Sequence, residues 1–211
     1  MLDAKAFLFD LNGTMVDDML YHIKSWHTIL NELGAQISLE KTKTECYGKN
    51  DELLERIFPN RFTIEEKKKL SFAKEQKYQE EYFPNLHLLP GLESFLKMGK
   101  TNKISMAIGS AAIQFNIDFV LDNLKIRDYF GAIVSADDVL ISKPHPETFL
   151  SCAAKLQIEP ADCIVFEDAV KGVEAALNAN MRCIVLTTMH HADEFAHLPN
   201  VVKIIKDYTE L

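Results

Sequence analysis

Apolar residues along the chain fall into two kinds of run, and their order predicts an architecture. Short runs rich in β-branched and aromatic residues occur at 4–9, 104–108, 132–135, 163–166, 183–186 and 201–205, each closed by a turn or a polar residue. These read as buried strands. Between the later ones the period lengthens to that of a helix, at 113–124, 146–156 and 170–180, the second opening with Pro146 in its first turn. Near-continuous apolar strands alternating with helices predict a parallel sheet covered on both faces, a doubly wound (Rossmann-like) α/β core. Residues 17–89 break that alternation. Ile23, Trp26, Ile29, Leu30 and Leu33 form a helical stripe ended by Gly34, and Thr63 with Glu66 makes a capping box for a long charged helix. The expected organisation is a core of residues 1–16 plus 90–211 with an all-helical insertion, residues 17–89, that rejoins the core at Pro90 and Gly91.

Composition narrows the class without naming a function. With 211 residues and 47% hydrophobic content the chain can bury a substantial core, so neither disorder nor a repeat array is expected. A net charge of −8 argues against nucleic acid or an anionic membrane as partner, since both demand a basic face. No apolar run approaches the length of a membrane span, and the first residues do not read as a signal peptide. A soluble, cytoplasmic protein, a monomer or small homo-oligomer, is the expectation. Cys46, Cys152, Cys163 and Cys183 are widely spaced, so they read as reduced thiols rather than a zinc cluster or a disulfide framework.

In an open parallel sheet, ligands bind at the carboxyl ends of the strands, where the strand order reverses. The residues at those ends are Asp10, Asn12, Gly13 and Thr14; Gly109 and Ser110; Ser142 and Lys143; and Glu167 and Asp168. Three carboxylates, a lysine and small hydroxyls on one rim suit Mg²⁺ and phosphate: hard oxygen ligands match the cation, and an ammonium matches phosphoryl oxygens.

These same residues carry a resemblance that covers essentially the whole chain. Phe9-Asp10-Leu11-Asn12-Gly13-Thr14 resembles the first motif of the haloacid dehalogenase superfamily, Ser142-Lys143-Pro144 with Pro146 the third, and Phe166-Glu167-Asp168 with Gly172 the fourth. The helical insertion is similar to the cap of the branch that includes β-phosphoglucomutase and small-metabolite phosphatases. The resemblance implies Mg²⁺-dependent phosphoryl transfer on a small phosphorylated metabolite bound between core and cap, with Asp10 attacking phosphorus to form an aspartyl phosphate. Asp10, Asp168 and the main-chain carbonyl of Asn12 are the implied metal ligands, with Glu167 assisting through a metal-bound water. Lys143 is implied to neutralise nucleophile and phosphoryl oxygens, and Gly13 and Thr14 to form the phosphate loop.

Two departures from that pattern matter. Asn12 stands where the family carries an acid–base aspartate, and an amide does not exchange protons near neutral pH, so acid–base assistance of about 10² to 10⁴-fold is expected to be missing. Ile108 aligns with the position of the second-motif hydroxyl; either Ser110, two residues on, supplies that hydroxyl or one phosphate hydrogen bond is absent, and absence is the favoured reading. Three explanations of Asn12 stay open: impaired or altered chemistry, a residue substituted to trap a ligand, or a proton donor in the cap. His22 is the leading donor candidate. The Asn12-Gly13 step is also prone to deamidation. In the cap, Lys74 aligns with a specificity lysine of the mutases but sits in a lysine- and glutamate-rich run that usually marks a solvated face. Residues 48–51 lack the phosphate-holding arginine of the mutases, although Lys49 offers a charge there. Trp26 is expected in the cap core, His145 to be positional, and His190 with His191 not to bind metal. A phosphatase is the preferred reading, with a phosphomutase, or a catalytically impaired metal-binding or regulatory protein, as alternatives.

Overall fold

A computed structural model describes residues 2–211. It divides into two compact units, the residues up to Asp17 together with His87–Leu211, and Asp18–Leu86.

The first unit is built on a six-stranded parallel sheet of β1 (Ala6–Phe9), β2 (Ser105–Gly109), β3 (Ala132–Val134), β4 (Cys163–Glu167), β5 (Arg182–Leu186) and β6 (Val201–Ile205), in the order β3-β2-β1-β4-β5-β6. The first three strands run outward from β1 on one side, and the last three continue from it on the other. The strand order therefore reverses at β1. Side chains along β1 alternate between the faces. Ala6 and Leu8 join a core with Val134, Phe149, Cys152, Val165, Val173 and Val185, while Phe7 and Phe9 join an aromatic cluster with Phe95, Phe166 and Tyr208. Each face is buried, which is why the strands read as unbroken apolar runs.

The second unit is helical, as its pattern predicts: α1 (Met19–Glu32), α2 (Leu39–Glu45), α3 (Asn50–Ile57) and α4 (Ile64–Tyr82). Thr63 caps α4 as the sequence suggests, accepting from the Glu66 amide while the Glu66 carboxylate accepts from the Thr63 amide. Trp26, Ile29 and Leu30 pack against Leu53, Leu54 and Phe58 as the core of this unit, which places Trp26 where it was expected. No helix among the described residues is long and apolar enough to cross a membrane.

Candidate active site

Sheet register brings the chemistry of the first unit together. Phe9 of β1 pairs with Phe166 of β4, and the Asp10 amide continues the ladder by donating to the Phe166 carbonyl at 2.9 Å. Asp10 and Glu167 therefore leave the sheet side by side, with Asp168 next along the chain. Between the two carboxylates stands Lys143, whose ammonium donates to Oδ1 of Asp10 at 2.6 Å and to Oε1 of Glu167 at 2.7 Å. The other Glu167 oxygen accepts from the amides of Asp168 and Ala169, both at 2.9 Å. All four charged side chains are buried. Asp10, Glu167 and Asp168 each present an oxygen within 4.8 Å of the others.

One ammonium does not balance three carboxylates. Burial by itself would drive the Lys143 ammonium to lose its proton, but the charges of Asp10 and Glu167 outweigh it and hold the group charged above its usual range. Burial, reinforced by the negative charges of Glu167 and Asp10, pushes the Asp168 carboxyl well above the usual carboxylate range. A buried, oxygen-only cluster that lacks positive charge fits a hard divalent cation such as Mg²⁺.

The loop after β1 is shaped by that cluster. Gly13 takes a left-handed conformation (φ +77°), and a Cβ on it would lie 2.1 Å from Oδ2 of Asp168, so no side chain is tolerated. Thr14 donates to Oδ1 of Asp168 at 3.3 Å. Two further residues, absent from the sequence reading, brace this loop. The Thr188 hydroxyl, just past β5, donates to the Gly13 carbonyl at 2.6 Å and lies 3.5 Å from Oδ2 of Asp168. The Tyr208 hydroxyl donates to the Thr14 carbonyl at 3.2 Å. Thr188 was legible, because it also follows a strand of the same sheet; Tyr208 carries no local signal. The Gly13 amide, the nitrogen that would attack the Asn12 side chain during deamidation, donates to the Val16 carbonyl at 2.8 Å. The fold thus restrains the reaction to which the Asn12-Gly13 step is otherwise prone.

The second-motif position needs a correction of register. β2 runs one residue past the expected end at Ile108. That side chain is inside the sheet, paired with Phe9 and Ile133 and fully buried. Gly109 closes the strand, and a Cβ there would press on Cys152, Phe149 and Thr148, so its contacts are packing ones. Ser110 is the first residue beyond the strand. It is buried, and its hydroxyl accepts from the Ala112 amide at 3.1 Å. The hydroxyl brought to the strand end is that of Ser110.

A family model described as "haloacid dehalogenase-like hydrolase" matches residues 7–186, which takes in β1 to β5 and every side chain of this cluster. The chain belongs to that family. It is 33% identical to a β-phosphoglucomutase of Bacillus subtilis over 84% of this chain and 80% of the relative. It is 29% identical to hexitol phosphatase B of Escherichia coli over 86% and 82%. A solved β-phosphoglucomutase structure from Clostridium difficile superposes with a TM-score of 0.85 at 30% identity, covering 99% of this chain and 93% of that one. These relatives and the helical second unit place the chain in the helical-cap branch of the family.

The remaining predicted residues lie in the cap unit or at the surface. Lys74 does not sit on a solvated face: it and Glu75 are each only 2% exposed, which overturns the reading taken from the charged run. The Lys74 ammonium donates to Nδ1 of His22 and to Oε1 of Glu75, which also accepts from the Asn50 amide group at 2.9 Å. Because an ammonium only donates, Nδ1 of His22 is the accepting nitrogen and Nε2 carries the proton, 3.5 Å from Oδ2 of Asp18. The His22 ring stacks on Tyr78 at 3.8 Å, and the Tyr78 hydroxyl donates to Asp18 at 2.5 Å. Burial raises the Glu75 carboxyl, but the Lys74 charge and the hydrogen bonds from Asn50 and Lys74 oppose it, and the group lies below its usual value. Asp18, Asn50, Glu75 and Tyr78 were not singled out in the sequence, where they look like ordinary polar helix residues. Lys49 is the N-cap of α3, its amide donating to Glu52. His145 is exposed and His190 pairs with Glu194; among the described residues neither joins a metal-ligand cluster. Cys152, Cys163 and Cys183 are buried free thiols, and Cys46 is a half-buried one.

Proposed function

We propose that the chain is a phosphoryl transferase of the phosphatase type, acting on a small, sugar-like phosphate ester through a transient phosphoester on Asp10. The observation that carries this reading is the Lys143 ammonium shared by Asp10 and Glu167 beside Asp168. It sets a cation directly against the Asp10 carboxylate, at 2.6 Å from Oδ1. The likeness to a hexitol phosphatase and to β-phosphoglucomutases supports the sugar-phosphate class.

Asp10, Asp168 and the Asn12 carbonyl would hold Mg²⁺, with Glu167 behind them. The bound cation would supply neutralisation of the phosphate, so that two anions can meet. Asp10 forms a bond to phosphorus as the bond to the ester oxygen breaks, and that oxygen leaves with the electron pair. Lys143 compensates charge on the transferring oxygens without giving up its proton. Gly13 and Thr14 bring backbone close to the phosphoryl group, and the Ser110 hydroxyl is placed at the neighbouring strand end. Water then attacks phosphorus, releases phosphate and restores the Asp10 carboxylate.

The test is intact mass with phosphate release after incubation with Mg²⁺ and an aryl phosphate. A phosphoryl adduct or phosphate release that disappears in Asp10→Ala is expected. Neither adduct nor release in the unaltered chain or in Asn12→Asp would overturn the reading and favour a binding or regulatory role. A phosphomutase is the second reading, favoured by the 33% and 30% identities to β-phosphoglucomutases. Interconversion of two hexose monophosphates, in place of phosphate release, would establish it.

A further inference from the structure

The hydrogen bonds around Asp10 hold charge in place, and the position two residues on, Asn12, carries no acid–base group. Lys143 is held as a cation by two carboxylates. Glu167 spends one oxygen on Lys143 and the other on two backbone amides. Thr14 donates to Asp168, Thr188 donates to Gly13, Ser110 accepts from Ala112, and Tyr208 donates to Thr14. Asn12 is an amide in the loop that carries the nucleophile, with neither a proton to give near neutral pH nor basicity to accept one. The imidazole proposed as a replacement, His22, has Nδ1 taken by Lys74, Nε2 facing Asp18 and its ring against Tyr78, and is 7% exposed.

This has unequal consequences for different phosphate donors. When Asp10 displaces an alkyl ester, the departing alkoxide is strongly basic and needs a proton as the bond breaks. When it displaces an acyl phosphate, the bond electrons pass to a carboxylate, which is stable in water unprotonated. Resolution of the phosphorylated Asp10 meets the same lack. Attacking water must lose a proton as its oxygen bonds to phosphorus, and Asn12, in the acid–base position, cannot receive it. General acid–base help is typically worth about 10² to 10⁴-fold in each such step.

We propose that this site is specialised for phosphoryl donors whose leaving group departs as a stable anion, with acyl phosphates as the chemical class, and that the phosphorylated Asp10 persists between encounters. The proposal rests on the nucleophilic role of Asp10 and narrows its substrate. It makes the chain one that holds a phosphoryl group for long periods instead of turning over rapidly.

The experiment follows phosphoryl mass on the chain with Mg²⁺ and either acetyl phosphate or glucose 6-phosphate, and then its decay after the donor is removed. Acetyl phosphate is expected to label the unaltered chain and Asn12→Asp at rates within a few-fold of each other. Glucose 6-phosphate is expected to react with the unaltered chain about 10² to 10⁴-fold more slowly than with Asn12→Asp, and the adduct to outlive that of Asn12→Asp by a comparable factor. The preference for acetyl phosphate is also readable in the unaltered chain, without any variant. Comparable reaction of the unaltered chain with both donors, or adduct lifetimes equal to those of Asn12→Asp, would overturn the proposal. Loss of that alkyl-ester reaction in His22→Gln would then name the proton source. No labelling of either protein by either donor, with no phosphate released, would instead overturn the role of Asp10 itself.

Discussion

Two buried charge clusters, one in each unit of this chain, are built from the same kinds of residue yet shift a carboxyl in opposite directions. In the cap, Asp18 and Glu75 face Lys74, His22, the Tyr78 hydroxyl and the Asn50 amide, and the Glu75 carboxyl lies below its usual value despite its burial. In the core, Asp10, Glu167 and Asp168 share one ammonium, and the Asp168 carboxyl lies well above its usual value. In the cap each carboxylate has a side-chain donor, Tyr78 for Asp18 and Lys74 with Asn50 for Glu75. The core cluster is left short of positive charge. Burying uncompensated charge is expensive, and the divalent cation proposed for the core cluster would offset that cost. The two buried lysines differ in their partners: Lys74 donates to His22 and Glu75, and Lys143 to the two carboxylates Asp10 and Glu167.

The lysines give the largest expected contrast. Replacing either by Met leaves carboxylates buried without their cation, a loss of about 3–5 kcal/mol in each case. Mg²⁺ should recover part of the thermal stability of Lys143→Met and none of that of Lys74→Met, measured as unfolding temperature with and without the cation. Equal recovery in both would break the distinction. Lys143→Met should also lower phosphoryl transfer by about 10² to 10³-fold, since it removes a preorganised charge from the transferring oxygens.

Next in size is Tyr78→Phe, which leaves the buried Asp18 carboxylate without its hydroxyl donor and should lower stability by about 1–3 kcal/mol. The loss should appear as faster hydrogen exchange in α1 and α4 with Mg²⁺ affinity unchanged. A change in Mg²⁺ affinity would show that the clusters are not independent. In the core, Thr188→Val removes the hydroxyl that fixes the Gly13 carbonyl and should weaken Mg²⁺ binding about tenfold by calorimetry, with Thr188→Ser close to the unaltered chain. Equal affinities in Thr188→Val and the unaltered chain would reduce Thr188 to packing.

The smallest effects are in pH dependence, and they run in opposite senses. Because the Glu75 carboxyl is lowered in the folded chain, its stabilising contribution is present above the ordinary glutamate value of 4.5 and is lost as pH falls below it. The raised Asp168 carboxyl works the other way: it favours the folded, metal-free chain at low pH, and that contribution is lost as pH rises above the ordinary aspartate value of 3.8. Mg²⁺ competes with the Asp168 proton, so the rise in unfolding temperature produced by Mg²⁺ should grow with pH. A gain independent of pH would remove Asp168 from the cation site.

Much of this was legible along the chain because it depends on local periodicity and on one topological rule. The apolar runs marked all six strands to within a residue or two, and the strand-end rule picked out Asp10, Lys143, Glu167 and Asp168 before any geometry. The rule also covered Thr188, which went unread because a threonine after an apolar run has no charge to draw notice. The burial of Lys74 and Glu75 was not legible, since a lysine- and glutamate-rich helix looks the same in sequence whether one face is solvated or buried against His22 and Asn50. The Ile108 position depended on where β2 ends, and the pairing of Gly109 with Val134 carries the strand one residue past it.

The sequence by itself determined the alternation of strands and helices, the helical insertion and the identity of the charged residues at the strand ends. Those properties follow from side-chain period and from residue type, both of which are local. Tertiary structure decided which charges share a partner: that Lys143 lies between Asp10 and Glu167, that Thr188 pins Gly13, and that Lys74 turns inward to His22. Such pairings join residues from 24 to 175 positions apart. Their energies depend on burial and on distances of a few ångströms, which only the packed chain fixes.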